Sequence, residues 1–415
     1  MKKLLCIVIA IATLLLLTSC GKKNYTAEDF KDVTLVIGDE SAYLYANADT
    51  GYSDYRDGTF NYDKWKSKSK LDIECKKIDS HDDKMLKILA MDTDVDIYYL
   101  GQEDARLLKE MGALKPIDSK IIDSYASDCF DVLDDFCRNE NGQVIMLPIS
   151  YYVDGVFVPK IVVEELGLKA EDIEYLDGYL EWVYANMTDE RPAIHIPYTL
   201  FDEIDSQYDM YYNDFPNKRF DYNTEVYKEM CRKLLDGWDV GKEYYDFWPP
   251  YAQNFSMKMN PHHSRTLCVL GTFGSINFKL NGFNMNWDVF PMPKLDENCE
   301  APLAAAQFVI INPSSENPEA ATLALETLAQ NLFSLQGGNG GSRWVFKNME
   351  RYPESVDTQS DIFEQFIQLG LKSQLYNKGS APSVHTYVDD YTMGKISLDE
   401  LIAEKMRVVE IWLYE

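Results

Sequence analysis

The stretch VDIYYLGQEDARLLKEMGALKPID, residues 95–118, constrains this chain most. The largely apolar run from Val95 to Leu100 reads as a buried strand. It stops at Gly101, where Gln102, Glu103 and Asp104 follow at once, and a helical pattern then runs to Gly112, well placed as a C′ glycine. Pro116 bars the helix from resuming. Upstream, Asp32–Gly38 (DVTLVIG) reads as a first strand and Leu71–Ile78 as a second. His81–Met91 has helical spacing through Met85, Ile88 and Leu89. Strand, helix, strand, helix in that order means a parallel sheet covered by helices, an α/β fold.

The pattern continues unevenly. Gln143–Ile149 is a further strand that runs into SYYVDGVFVPK and VVEELGL. Residues 169–241 are mostly helical, and residues 242–300 are irregular, with short apolar runs at Thr266–Leu270 and Trp287–Phe290. Phe308–Asn312 is again a strand. Asn317 is expected to cap the next helix, with Pro318 at its first position and Ala321, Leu325, Leu328 and Leu332 as its apolar stripe. Ser397–Glu400 is a capping box opening a last helix whose inner face includes Leu401, Val408 and Trp412.

The 415 residues allow two or three domains. A formal charge of −28 argues against nucleic acid and favours neutral or cationic ligands. Lys2 and Lys3 precede an apolar run, Leu4 to Leu17, too short to span a bilayer comfortably and suited to a signal h-region. Leu17-Thr18-Ser19-Cys20-Gly21 resembles the lipobox of bacterial lipoproteins. That resemblance implies a signal peptide over residues 1–19, a lipidated Cys20 and a polar tether over residues 20–31. Losing Lys2 and Lys3 takes the charge from −28 to −30.

Six further cysteines, Cys75, Cys129, Cys137, Cys231, Cys268 and Cys299, allow fifteen pairings. Cys129 and Cys137 are expected on one helix, about 12 Å apart and beyond disulfide reach. Their irregular spacing in a large chain favours free buried thiols for most of them.

Several chemistries have no signature. There is no phosphate-cradling P-loop, no G-x-S-x-G elbow, no H-E-x-x-H and no C-x-x-C. Of the five histidines, His262 and His263 read as a solvated loop. Asp92, Asp94 and Asp96 lack the glycine a calcium loop requires. Neither a metal nor a cofactor is expected, and no catalytic residue is assigned. Carboxylate pairs could hydrolyse glycosides, but among 68 acidic residues pairing by eye selects nothing.

Four stretches together resemble the extracellular solute-binding lipoproteins of ABC importers, in particular the carbohydrate-binding (family 1) type. They are the segment quoted first, LPISYYVDGVFVPKIVVEELGL, FVIINPSSENPEAATLALETLAQ and GKISLDELIAEKMRVVEIWL, in the family's order along the chain and with the lipobox ahead of them. The chain departs from the family at Pro159, where an asparagine is usual, at GGNGGSRW after the long helix, and over residues 242–300. The resemblance implies a two-lobed periplasmic-binding-protein-like fold with a hinge and an inter-lobe ligand cleft. The expected lobes are 32–148 plus 301–343 and 149–300 plus 344–415.

On that architecture, ligands sit where parallel strands end. Gln102, Glu103 and Asp104 would then meet a polyhydroxylated ligand, or simply complement the helix dipole. Asp39, Glu40 and Tyr43 follow the first strand in the same way. Tyr152 lies at the lobe crossing, Phe273 matches a ring-stacking position of the family, Tyr198 presents a ring from the second lobe, and Arg343 and Trp344 stand at a third crossing. Aromatic faces suit the C–H faces of sugars. Trp344→Ala is expected to weaken binding without changing the melt. The implied role is a monomeric, non-catalytic protein, lipid-anchored to the outer face of the membrane, that captures a sugar or oligosaccharide for ABC permease subunits. The alternatives are a secreted glycan-active enzyme or a ligand-loaded sensor subunit for a membrane receptor.

Overall fold

The structure is a computed structural model. It describes residues 25–39, 44–46, 53–55, 60–78, 80–188, 191, 193–194, 199–236, 267–272, 287–300, 303–335, 344–352, 361–375 and 384–414. Strands β1 (Thr34–Asp39), β2 (Leu44–Ala46), β3 (Ser53–Tyr55), β4 (Asp72–Lys77) and β5 (Ile97–Gly101) are interleaved with helices α1 (Tyr62–Ser69) and α2 (His81–Leu89). Helices α3 (Gln102–Glu110), α4 (Lys120–Asp128) and α5 (Asp131–Cys137) lead into β6 (Leu147–Pro159). Then follow α6 (Lys160–Leu166), α7 (Leu176–Asn186), β7 (Ala193–Ile194), α8 (Thr199–Tyr212), α9 (Glu225–Asp236), β8 (Cys268–Thr272), β9 (Trp287–Pro291) and β10 (Leu303–Ile311). The chain closes with α10 (Pro318–Asn331), α11 (Asp361–Lys372), β11 (Gln374–Leu375), α12 (His385–Thr392) and α13 (Leu398–Tyr414).

The expected parallel unit is present: β1 pairs in parallel with β4 and with β5. One sheet then continues in the order β4-β1-β5-β10-β6-β8-β7, with β10 antiparallel to both β5 and β6. The sheet passes through two hydrophobic cores. The first gathers Leu35, Ile97, Leu100, Phe308 and Leu325, and the second gathers Ile204, Tyr227, Leu270 and Val409. Strand β6 serves both: Tyr151, Val153 and Phe157 enter the first core, Val156 and Val158 the second. It starts at Leu147, later than the expected 143, and its 13 residues run past 149 because YYVDGVFVP keeps the strand going into the second lobe.

The cores do not follow the expected lobe division at 343/344. Residues 344–375 supply Trp344, Val345, Phe346, Phe363, Phe366 and Leu375 to the first core, and only α12 and α13 join the second. Close approach explains the docking. A Cβ on Gly370 would come within 2.8 Å of the Phe130 ring, so only glycine lets α11 lie there, and the Gly370 carbonyl accepts a hydrogen bond from Tyr151 Oη at 3.1 Å.

Cys129 and Cys137 are not on one helix, because the chain breaks after Asp128 where the Phe130 N–H turns to the Val345 carbonyl. All six cysteines are free thiols. Asn317 occupies the N-cap of α10 without a side-chain cap bond, whereas the Ser397–Glu400 box forms in both directions.

Tyr98 on β5 is fully buried, and among the described residues its hydroxyl meets no hydrogen-bond partner. Burying such a group costs more than burying the bare ring. Tyr98→Phe is therefore expected to stabilise the protein by about 1 kcal/mol, read as a higher urea midpoint with an unchanged slope. A lower midpoint would mean that the hydroxyl is needed.

Candidate functional site at the strand crossing

Strands β6 and β10 carry the chain between the two cores, and their pairing fixes which side chains share a face. Tyr152 stands opposite Ala305, and Ser150 opposite Gln307. Opposite residues share a face, as do residues two apart. Tyr151 and Ala306 therefore point to the side covered by α11, while Ser150, Tyr152, Asp154, Ala305 and Gln307 point to the other. The strip extends sideways in both directions: Gln307 lies opposite Gly101 on β5, and Asp154 opposite Thr272 on β8. A register shift between Gln307 and Phe308 marks a bulge in the crossing pair.

The polar groups at this strip are tightly committed. Ser150 Oγ and Tyr152 Oη both donate to Gln307 Oε1, each at 2.8 Å. Gln102 Oε1 accepts the Ala306 N–H at 2.9 Å, taking up a strand donor just where β5 has ended. Gln102 is thus buried as a splice between α3 and β10. Asp104 is buried as well, in an ion pair with Lys84 at 3.1 Å, so it holds α2 to α3. Glu103, in the first turn of α3, is exposed. Asp39 at the end of β1 is fully buried and accepts a hydrogen bond from the Tyr62 hydroxyl.

Electrostatics single out Glu203 on α8. Its Oε1 accepts the Leu303 N–H and a Gln207 Nε2 hydrogen, each at 3.4 Å, at the root of β10. Burial first, and the charge of Asp154 second, push its carboxyl up to about 8 from an ordinary 4.5. Between those values the folded protein holds a proton that the unfolded chain has released, so stability falls as pH climbs through the window. Glu203→Gln keeps the acceptor and removes the ionisation. The variant is expected to match wild type at pH 5 and to be more stable by on the order of 2 kcal/mol at pH 9, the bare shift being discounted for solvent screening of a half-buried group. Urea midpoints at the two pH values test this; a gain equal at both would show that charge is not the cause.

Of the residues picked from the sequence, Tyr152 stands in the strip and Gln102 is bonded to the β10 backbone beside it, while Glu103 is exposed on the first turn of α3. Glu40, Tyr43, Tyr198, Phe273, Arg343 and the lipidation position Cys20 lie outside the described residues. Trp344 is a correction. It is 7% exposed, and its ring lies 5.2 Å from Phe363 and 5.4 Å from Tyr352, centre to centre, so it packs as part of the first core. Sequence reasoning missed Gln307, Ser150 and Glu203. Gln307 did carry a signal, as the lone polar residue in LAAAQFVII. Among the described residues no group of three or more His, Cys, Asp or Glu side chains could hold a metal ion.

No family model matches the chain, and no curated protein matches it either. Solved structures do match in fold. One is a cyclo/maltodextrin-binding protein complexed with maltotetraose, 13% identical, with a TM-score of 0.57 over 95% of this chain and 99% of that one. At that identity the likeness fixes the architecture: this is the two-lobed α/β fold of the periplasmic-binding-protein type.

Proposed function

We propose that this chain captures a sugar or oligosaccharide between its two lobes and delivers it to the permease of an ABC importer. One observation carries the reading: a single sheet runs through two separate cores on β6 and β10, leaving a polar strip of Ser150, Tyr152, Asp154 and Gln307 where the strands cross. A neighbour of this fold binds maltotetraose, which supports a carbohydrate. Capture needs no chemistry. A ligand that touches both lobes only when they close stabilises the closed state by its differential affinity. Glu103 and the Tyr152 ring would line the crevice, with Glu40, Tyr43, Tyr198, Phe273 and Arg343 assigned to it by sequence position alone. Lipidation at Cys20 would hold the protein at the outer face of the membrane as a monomer.

Thermal melts across maltotetraose, other neutral oligosaccharides, polyols, amino acids and peptides test the capture role. A ligand at a hundred times its Kd adds about 2.7 kcal/mol, and its concentration should not fall with time. A panel with no shift sinks the reading. Loss of acyl-chain labelling in Cys20→Ala tests the anchor. The raised carboxyl of Glu203 favours a second reading, a glycan-active enzyme with that group as its acid. Product released in the same incubations would select it.

A further inference from the structure

Gln307 occupies the middle of the strip, and its geometry is unusually determined. Its Oε1 takes two hydroxyl hydrogens, from Ser150, which is 1% exposed, and from Tyr152. A carbonyl oxygen has two lone pairs, and both are used. The Nε2 group, with two hydrogens, bonds to none of the described residues. The residue opposite it on β5 is Gly101, and a Cβ added there would meet no atom of the described residues within 4 Å. Among the described residues the amide therefore has room beside it over the sheet, at the bulge in the crossing strands.

Resting on the capture reading, we propose that Gln307 is a specificity-determining ligand contact. Its Nε2 donates to an acceptor oxygen of the bound ligand over Gly101, and Ser150 and Tyr152 act as positioning residues that lock the amide. Tyr152 then works through its hydroxyl on Gln307, not by a hydroxyl contact of its own. An amide N–H donor in a chain of formal charge −28 suits a neutral, oxygen-rich ligand, whose hydroxyl, ring or glycosidic oxygens accept, and disfavours an anionic one.

The test is calorimetric titration of maltotetraose, together with each neutral oligosaccharide that shifts the wild-type melt, into four variants. Gln307→Ala is expected to raise Kd about tenfold or more, and Tyr152→Phe roughly three- to fivefold. Because Tyr152 acts through the amide, adding Tyr152→Phe to Gln307→Ala should cost nothing further. Gly101 has φ −69° and ψ 168°, an extended conformation open to any residue, so Gly101→Leu should fill the space and abolish binding while the ligand-free melt stays within about 2 °C. The inference is overturned by an equal cost of Tyr152→Phe in both backgrounds, by an unchanged Kd in Gln307→Ala, or by wild-type affinity in Gly101→Leu. A wild-type protein that binds no glycan removes the capture reading itself, and this inference with it.

Discussion

Replacing Trp344 with alanine is expected to cost about 3–5 kcal/mol of stability in the absence of any ligand, the range for a large aromatic removed from a packed core. The indole lies among Tyr352, Phe363 and Phe366, with ring centres 5.2–5.8 Å away, and these rings join α11 to the first lobe. Truncation opens a cavity that the surrounding rings can collapse into only in part. Urea unfolding of the ligand-free variant measures the loss, and Trp344→Phe should recover much of it because a ring still fills the site. An unchanged midpoint with weakened ligand binding would move Trp344 from the core to the crevice.

Lys405→Ala is expected to cost a similar 3–5 kcal/mol, for an electrostatic reason. Lys405 on α13 is fully buried, with Nζ 2.7 Å from Asp205 Oδ2 and 5.2 Å from the centre of the Tyr222 ring. Asp209 lies in the same cluster. Its carboxyl is pushed up to about 7 by burial, against the pull of Lys405, and it accepts from Tyr222 and Asn213. Removing the cation leaves buried carboxylates without their counter-charge. Asp209 binds its proton more tightly folded than unfolded, so its contribution to stability is lost as pH rises through about 7. Without Lys405 that loss deepens, and the variant's deficit should be larger at pH 8 than at pH 5. Lys405→Met, which keeps the apolar stem, should cost nearly as much as alanine at pH 8. A small deficit for methionine would mean that the stem, not the charge, is what α13 needs.

The cluster shows where sequence reasoning stopped. The inner face read from the sequence includes Leu401, Val408 and Trp412; in the structure Lys405 and Val409 are buried beside Leu401, and Val408 is only half-buried. What periodicity cannot supply is the partner of Lys405. Asp205 lies 200 residues away, on α8. Gln307 is similar: the strand was legible, but the hydroxyls that take up its carbonyl come from β6, 157 and 155 positions earlier.

The sequence by itself determined β1, β4 and β5 with the helices α2 and α3, their parallel order, the capping box of the last helix and the apolar stripe of α10. Each follows from interactions within a few residues, such as side-chain alternation, helical spacing and the special backbone freedom of glycine and proline. Only the tertiary structure decided that α11 belongs to the first lobe, that Trp344 is core, that Gln102 and Asp104 are bound to protein groups, and that the Gln307 carbonyl is taken up by Ser150 and Tyr152. Those outcomes depend on which distant surfaces meet, and burial or exposure of a tryptophan or a glutamine is settled by that meeting rather than by its neighbours in the chain.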